Sequence, residues 1–284
     1  MRILNSVRTA LQQFGSWLRM ANRRRVARRR NRQRQHAAVQ PETLSEVGDQ
    51  PGALNVSIQR ISVARSANAQ AGNVDISLGA PRRLTVRDLC AELDSGQVGR
   101  AIVVSISHDD YAVSVGGIQN VIGDECEEFT RRGIVYLHLC PVRPILNLTP
   151  EVQPSEFHFA IRLCGRALGR IDGLALQEAL GKQVQKGISL HWTLHHLMGH
   201  SPEVVEQLID VGATGRPLFW IHDFFSVCTS YTLLRNDVLY CNAPPQSSPA
   251  CRVCVYGPER DAHSERIRRL LDKLRPTIVA PSQS

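Results

Sequence analysis

The chain has 284 residues, 43% of them apolar, with a net charge of +8; that is enough for one large domain or two small ones around a real core. The charge is lopsided: residues 1–40 hold eleven Arg and no Asp, Glu or Lys, and the rest of the chain sums to −3, so the basicity belongs to the tail and says little about the folded part. No stretch approaches the ~18 apolar residues of a membrane span and no secretory leader is visible, so the eight cysteines read as reduced or metal-bound thiols in a cytoplasmic compartment.

In chain order, Leu4, Val7, Leu11, Phe14 and Leu18 recur at helical spacing and predict an amphipathic helix. The arginine block of residues 22–34 follows, so residues 1–35 form a basic extension. Three accounts of it compete: a solvated, disordered tail, peripheral contact with an anionic membrane surface, or phosphate contacts with nucleic acid. Residues 36–83 are rich in Gln, Ala, Ser, Asn and Gly and read as a linker. Order should resume with Leu84–Leu93.

From Ala101 the pattern changes. Residues 101–107 form a β-branched run suited to a parallel strand buried on both faces. Gly116-Gly117 opens a helix whose stripe is Ile118, Val121, Ile122, Cys126 and Phe129, with Gly133 at its stop. Residues 134–140 give the next strand, completing a β-α-β unit. Beyond it, strands are expected at 157–163, 187–192, 218–221 and 277–280, and helices at 174–184, 202–211 and 259–274. Ser201-Pro202 is expected to cap and start the second of these. Alternating strands and helices predict an α/β fold, a Rossmann-like doubly wound parallel sheet, with ligands at the carboxyl ends of its strands.

Three loops then carry the candidate chemistry. In residues 107–117, Gly116 and Gly117 at a strand-to-helix turn let a phosphate or sugar approach the backbone, and His108 and Asp109 stand beside them; an ordinary tight turn is the competing account. Residues 191–200 hold four His. They read either as a metal group around His195 and His200 or as His195 and His196 reaching into a cleft to hydrogen-bond. His222 and Asp223 follow the apolar run 217–221, so they should emerge at the cleft as an acid/base pair. Ser226 nearby raises a Ser-His-Asp hydrolase as rival, but the chain has no G-x-S-x-G elbow. Cys228, Cys241, Cys251 and Cys254, spaced C-x12-C-x9-C-x2-C, suit a structural zinc with four thiolates; reduced thiols in a loop are the alternative.

Taken together, VSISHDDYAVSVGGIQNVIGDE, LHWTLHHLMGH, FWIHDFFSVCTSYTLLRNDVLYC with its C-x-x-C, and IVAPS resemble the N-terminal, acceptor-side domain of bacterial family 4 glycosyltransferases of GT-B architecture, over residues 99–284. The resemblance implies a retaining transfer from a nucleotide-sugar donor to a glycan acceptor in cell-surface polysaccharide synthesis, without a cofactor for the chemistry. It implies that Gly116 and Gly117 face the donor phosphates, that His222 contacts the transferred sugar and that Asp223 accompanies it. It also matches residues 228–254 to a cysteine-bearing insertion, although Thr229 stands where the family carries Pro after the first Cys. The chain stops at Ser284, where the family continues into its donor-binding half. The expectation is therefore a polypeptide inactive alone, completed by a separate chain if at all. The rival expectation is a non-catalytic, zinc-stapled α/β binding protein with a basic membrane- or nucleic-acid-binding tail.

Overall fold

The computed structural model describes residues 82–95 and 100–280. The amphipathic helix, the arginine block and nearly all of the linker expected at the N-terminus lie outside them, as does the end of the chain from Pro281.

The described part is an α/β domain on one seven-stranded sheet. Its elements are α1 (Val86–Ser95), β1 (Ala101–Ile106), α2 (Gly117–Arg131), β2 (Val135–Pro141), β3 (His158–Leu163), β4 (Arg166–Asp172), α3 (Gly173–Gln185), β5 (Ser189–Leu194), α4 (Pro202–Asp210), β6 (Leu218–Trp220), β7 (Leu234–Arg235), β8 (Leu239–Tyr240), α5 (Pro249–Arg252), α6 (Gly257–Leu274) and β9 (Thr277–Val279). The strand order is β4-β3-β2-β1-β5-β6-β9, with β7 and β8 a separate small ribbon. Strands β1, β2, β5, β6 and β9 pair in parallel.

The expected all-parallel sheet needs one correction: β3 runs antiparallel to β2, and β4 to β3. The stretch joining β2 to β3 carries no helix, so the chain doubles back instead of crossing over. Strand β4 was not anticipated. Its turn from β3 is the two-residue Cys164-Gly165, with both φ values positive (47° and 86°), a hairpin geometry usually announced by Asn-Gly. The outer edge of β4 is covered by the entering chain: Leu84 N donates to Arg170 O and Arg170 N to Arg82 O, each at 2.8 Å. That approach requires Gly169, whose φ is 145° and whose added Cβ would lie 2.1 Å from Arg82 O. The cap expected on α4 also differs: Ser201 makes no side-chain bond to the helix backbone and instead donates to Glu203 Oε2 at 2.8 Å.

The two faces of the sheet differ. Ile102, Val104, Ile106, Leu137, Leu139, Leu190, Trp192 and Leu194 join one apolar core with Leu89 and Leu93 of α1, Leu176 and Leu180 of α3, Val205 and Leu208 of α4, and Ile267 and Leu270 of α6. Because side chains alternate along a strand, Ser105, Tyr136, His138 and Thr193 point to the opposite face. They are nonetheless buried, beside the helix α2 that connects β1 to β2. A buried polar face must satisfy its groups internally, and this one does so through the side chains of the candidate site.

Candidate functional site

Three neighbouring parallel strands, β1, β5 and β6, end side by side. The chain leaves them as Ser107-His108, His195-His196 and, after Ile221, His222-Asp223. The structure thus brings five of the expected side chains together. His195, His196, His222 and Asp223 line a small half-open hollow with Trp220, Phe225 and Ser226. His108 packs edge-on against His196, ring centroids 4.7 Å apart.

Two hydrogen-bonded chains run side by side. In the first, Met198 N donates to His196 Nδ1 at 3.1 Å. That nitrogen therefore holds the lone pair, and Nε2 carries the proton that it donates to Asp223 Oδ2 at 3.0 Å. Asp223 Oδ1 also accepts from Phe225 N at 2.9 Å. Burial alone would raise the Asp223 carboxyl, but the donation from His196 brings it below the usual carboxylate range. Asp223 is thus spent on His196 and the backbone, not on His222. Among the described residues no hydroxyl bonds His222, so Ser226, His222 and Asp223 do not form the triad of a hydrolase.

In the second chain, His222 Nε2 lies 3.2 Å from His195 Nδ1. His195 Nε2 lies 2.9 Å from Glu125 Oε2, and the Tyr136 hydroxyl donates to the same oxygen at 2.9 Å. Glu125 is 1% exposed. Trp220, His195 and His222 lie nearly parallel, with interplanar angles of 9° to 20°. Burial, and then the neighbouring His195 and His196, push the His222 imidazolium down to about 3. Beneath the site, His200 donates through Nε2 to Ser107 O at 2.7 Å, and His138 lies 3.2 Å from Ser107 Oγ. Both rings are buried, which pushes their titration down to about 3 and about 4. His200 therefore braces the β1 loop and packs on Phe157 and Phe159.

Gly116 and Gly117 are not among the residues lining the hollow. Gly116 is extended (φ −178°) at the N-terminus of α2. A Cβ there would meet Gln119 Oε1 at 2.3 Å, and the Gln119 amide donates to both Asp109 carboxylate oxygens at 2.8 and 2.9 Å. The glycine therefore makes room for a side-chain bridge that fixes the residue after His108.

Among the cysteines, Cys228 is buried and its thiol is pushed up by burial, with Cys241 and Cys254 near enough to raise it further. Cys251 Sγ accepts from Arg260 Nη1 at 2.9 Å. All eight cysteines are free thiols. Among the described residues no three His, Cys, Asp or Glu side chains are grouped as a metal site, neither the four thiols nor the histidines of 191–200. Among the described residues no helix is long and apolar enough to cross a membrane.

Sequence reasoning missed Glu125 and Tyr136. The signal for Glu125 was present: it sits three residues after Ile122 and four before Phe129, inside the apolar stripe of α2, where a carboxylate is costly to bury unless something bonds it. No family model, no curated protein and no solved structure matches the chain.

Proposed function

We propose that residues 84–284 are the Rossmann-like, acceptor-side half of a GT-B glycosyltransferase acting in bacterial cell-surface glycan synthesis. One observation carries the reading: His108, His195, His196, His222 and Asp223 meet where β1, β5 and β6 end, the edge at which open α/β sheets bind ligands. Imidazoles and a carboxylate around an aromatic floor suit a sugar, whose hydroxyls need donors and acceptors and whose C–H faces pack on rings. In this reading His222 and Asp223 stand at the transferred sugar, and the Gly116-Gly117 turn stands toward the donor phosphates. The half-open hollow forms one wall of a cleft, the other wall coming from a donor-binding partner. Residues 1–35 supply a basic peripheral contact with the inner membrane surface.

The test is binding. Histidine ring resonances of the purified chain would be followed while UDP- and GDP-sugars, and separately neutral oligosaccharides, are added. The expected result is perturbation of His222 and His196 by one of these classes, lost in His222→Ala. If no sugar or nucleotide-sugar moves any ring at millimolar concentration, the reading fails.

A further inference from the structure

The chain Glu125–His195–His222 crosses from the buried face of the sheet to the hollow, and its proton positions follow from its contacts. The Glu125 oxygen accepts from the Tyr136 hydroxyl and from His195 Nε2, both at 2.9 Å. His195 in its neutral form therefore carries its proton on Nε2 and keeps a lone pair on Nδ1. That lone pair faces His222 Nε2 at 3.2 Å, so His222 carries its proton on Nε2. His222 Nδ1 then holds a lone pair on a residue that lines the hollow, and no side chain among the described residues is seen to bond it.

We propose that Glu125 and His195 form a proton relay behind His222, which lets the hollow take a proton from a bound hydroxyl group. The O–H bond of the ligand breaks as His222 Nδ1 gains the proton. The His222 Nε2–H bond breaks as His195 Nδ1 gains that proton in turn. The positive charge comes to rest on the His195 imidazolium, in contact with the Glu125 carboxylate, and the ligand oxygen is left with the electron pair.

Three further facts support the direction of transfer. His222 is a poor resting place for the charge, being pushed down to about 3 by burial and by its histidine neighbours. The remaining ionisable groups that act on His222 are His108, His196 and Asp223, and the last of these is already bonded to His196. From β2, Tyr136 faces Glu125, and His138 is near enough to feel the charge of His195. Glu125 is thus the carboxylate in hydrogen-bond contact with the relay. A carboxylate buried to 1% exposure carries a large desolvation cost unless it is compensated; a function that uses its charge explains its place in an otherwise apolar helix stripe. Glu125 and His195 act here through His222 and are positioning residues. The inference does not need the ligand to be a sugar, only to present a hydroxyl.

The experiment is nitrogen-15 NMR of the histidine rings in the full chain, without ligand, for the wild type, Glu125→Gln and Tyr136→Phe. At pH 7.5 the wild type should show His195 and His222 both protonated on Nε2. On acidification, charge within the pair should appear on His195 before His222. Glu125→Gln keeps the shape and removes the charge, so the pair should take up its proton at least ~1 pH unit lower. Tyr136→Phe removes a donor that quiets Glu125 while leaving the charge, so its shift should be upward or absent. His195 protonated on Nδ1 in the wild type would overturn the relay, as would downward shifts of similar size in both variants. Should Glu125→Gln not fold, the wild-type tautomers at pH 7.5 still decide. The readout contains no sugar, so failure of the glycosyltransferase reading and failure of the relay are separate results.

Discussion

Lowering the pH from 7 to 5 should remove a large part of the domain's stability, because burial holds several histidines uncharged, three of them most strongly. An ordinary histidine titrates near 6.5. Burial pushes His138 down to about 4, and His200 and His222 to about 3. At these three positions the unfolded chain therefore binds protons in a window where the folded chain refuses them, and burial of His108, His191 and His263 acts in the same direction. Stability is full above pH ~6.5 and is lost as the pH falls below it. Each histidine contributes roughly 2 kcal/mol to the difference between pH 7 and pH 5, about 6 kcal/mol for the three. His222 faces the hollow, where solvent screens part of its share. A domain of this size typically has about 5–15 kcal/mol in all. The carboxylates do not blur the window. Glu203, which burial alone would raise, is held down to about 2 by its bonds to Arg266 and Ser201, so its contribution fades only below the ordinary carboxylate range.

The assay is urea unfolding followed by circular dichroism at pH 7.0, 6.0, 5.5 and 5.0. The expected slope below pH 6 is at least about 4 kcal/mol per pH unit, the share of one proton at each of the three histidines. His138→Gln should reduce the slope by about 1.4 kcal/mol per pH unit, one proton's share, whatever it does to the absolute stability. A free energy of unfolding that stays within about 1 kcal/mol between pH 7 and 5 would refute the reasoning. It would mean that these rings charge in place or that water reaches them.

Gly169→Ala should destabilise the domain by roughly 2–4 kcal/mol in the same assay, since its Cβ would strike the Arg82 carbonyl on a backbone held at positive φ. Leu194→Ala, at a fully buried position of β5, should cost about 2–5 kcal/mol and loosen the loop carrying His195, read as faster amide exchange there. Asp223→Asn keeps the shape but weakens the charge-assisted bond to His196; about 1–2 kcal/mol should be lost, with the His196 ring resonance moving and that of His138 unmoved. For the cysteine loop, metal analysis and chelator treatment separate two arrangements. A four-thiolate zinc site predicts one equivalent of metal whose removal unfolds residues 228–254. Free, unmetallated thiols predict rapid alkylation of Cys241, Cys251 and Cys254 with no metal released, Cys228 reacting last because it is buried.

The sequence revealed most where burial writes a long pattern. The two-faced burial of β1 left a β-branched run and that of β2 a mostly apolar one, and the stripe of α2 with its Gly133 stop marked that helix to within a residue or so. Strand β5 was legible but placed two residues early: His195 and His196 follow directly on its end, and polar rings do not look like core. The β3–β4 hairpin escaped because its turn is Cys164-Gly165 and its second strand alternates Arg and Gly with Leu168 and Ile171. The cluster of histidines was visible as a cluster, but its partners were not. Tyr136 lies in what reads as an ordinary buried strand, and Glu125 in what reads as an ordinary amphipathic helix. Only the fold, with β1 paired to both β2 and β5, brings Glu125 into hydrogen-bond contact with His195 and Tyr136 into contact with Glu125.

That arrangement bears on whether the polar face serves stability or function. Replacing a buried ion-bonded cluster by apolar side chains is commonly neutral or stabilising, and the opposite face of the same sheet shows that this chain readily builds an apolar layer. Yet under α2 it places Glu125, Tyr136, Ser105, His138, Thr193 and His195, all buried, and the chain of contacts does not end inside. It continues through His195 to His222 at the hollow, beside a second chain in which Asp223 fixes His196. A network built for packing alone would close on itself. One that starts at a buried carboxylate and opens at the carboxyl ends of three parallel strands has the form needed to move a proton or hold a polar ligand. Glu125→Gln should therefore leave the domain folded and change the behaviour of His222 more than it changes the unfolding free energy; the reverse ordering would assign the network to stability instead.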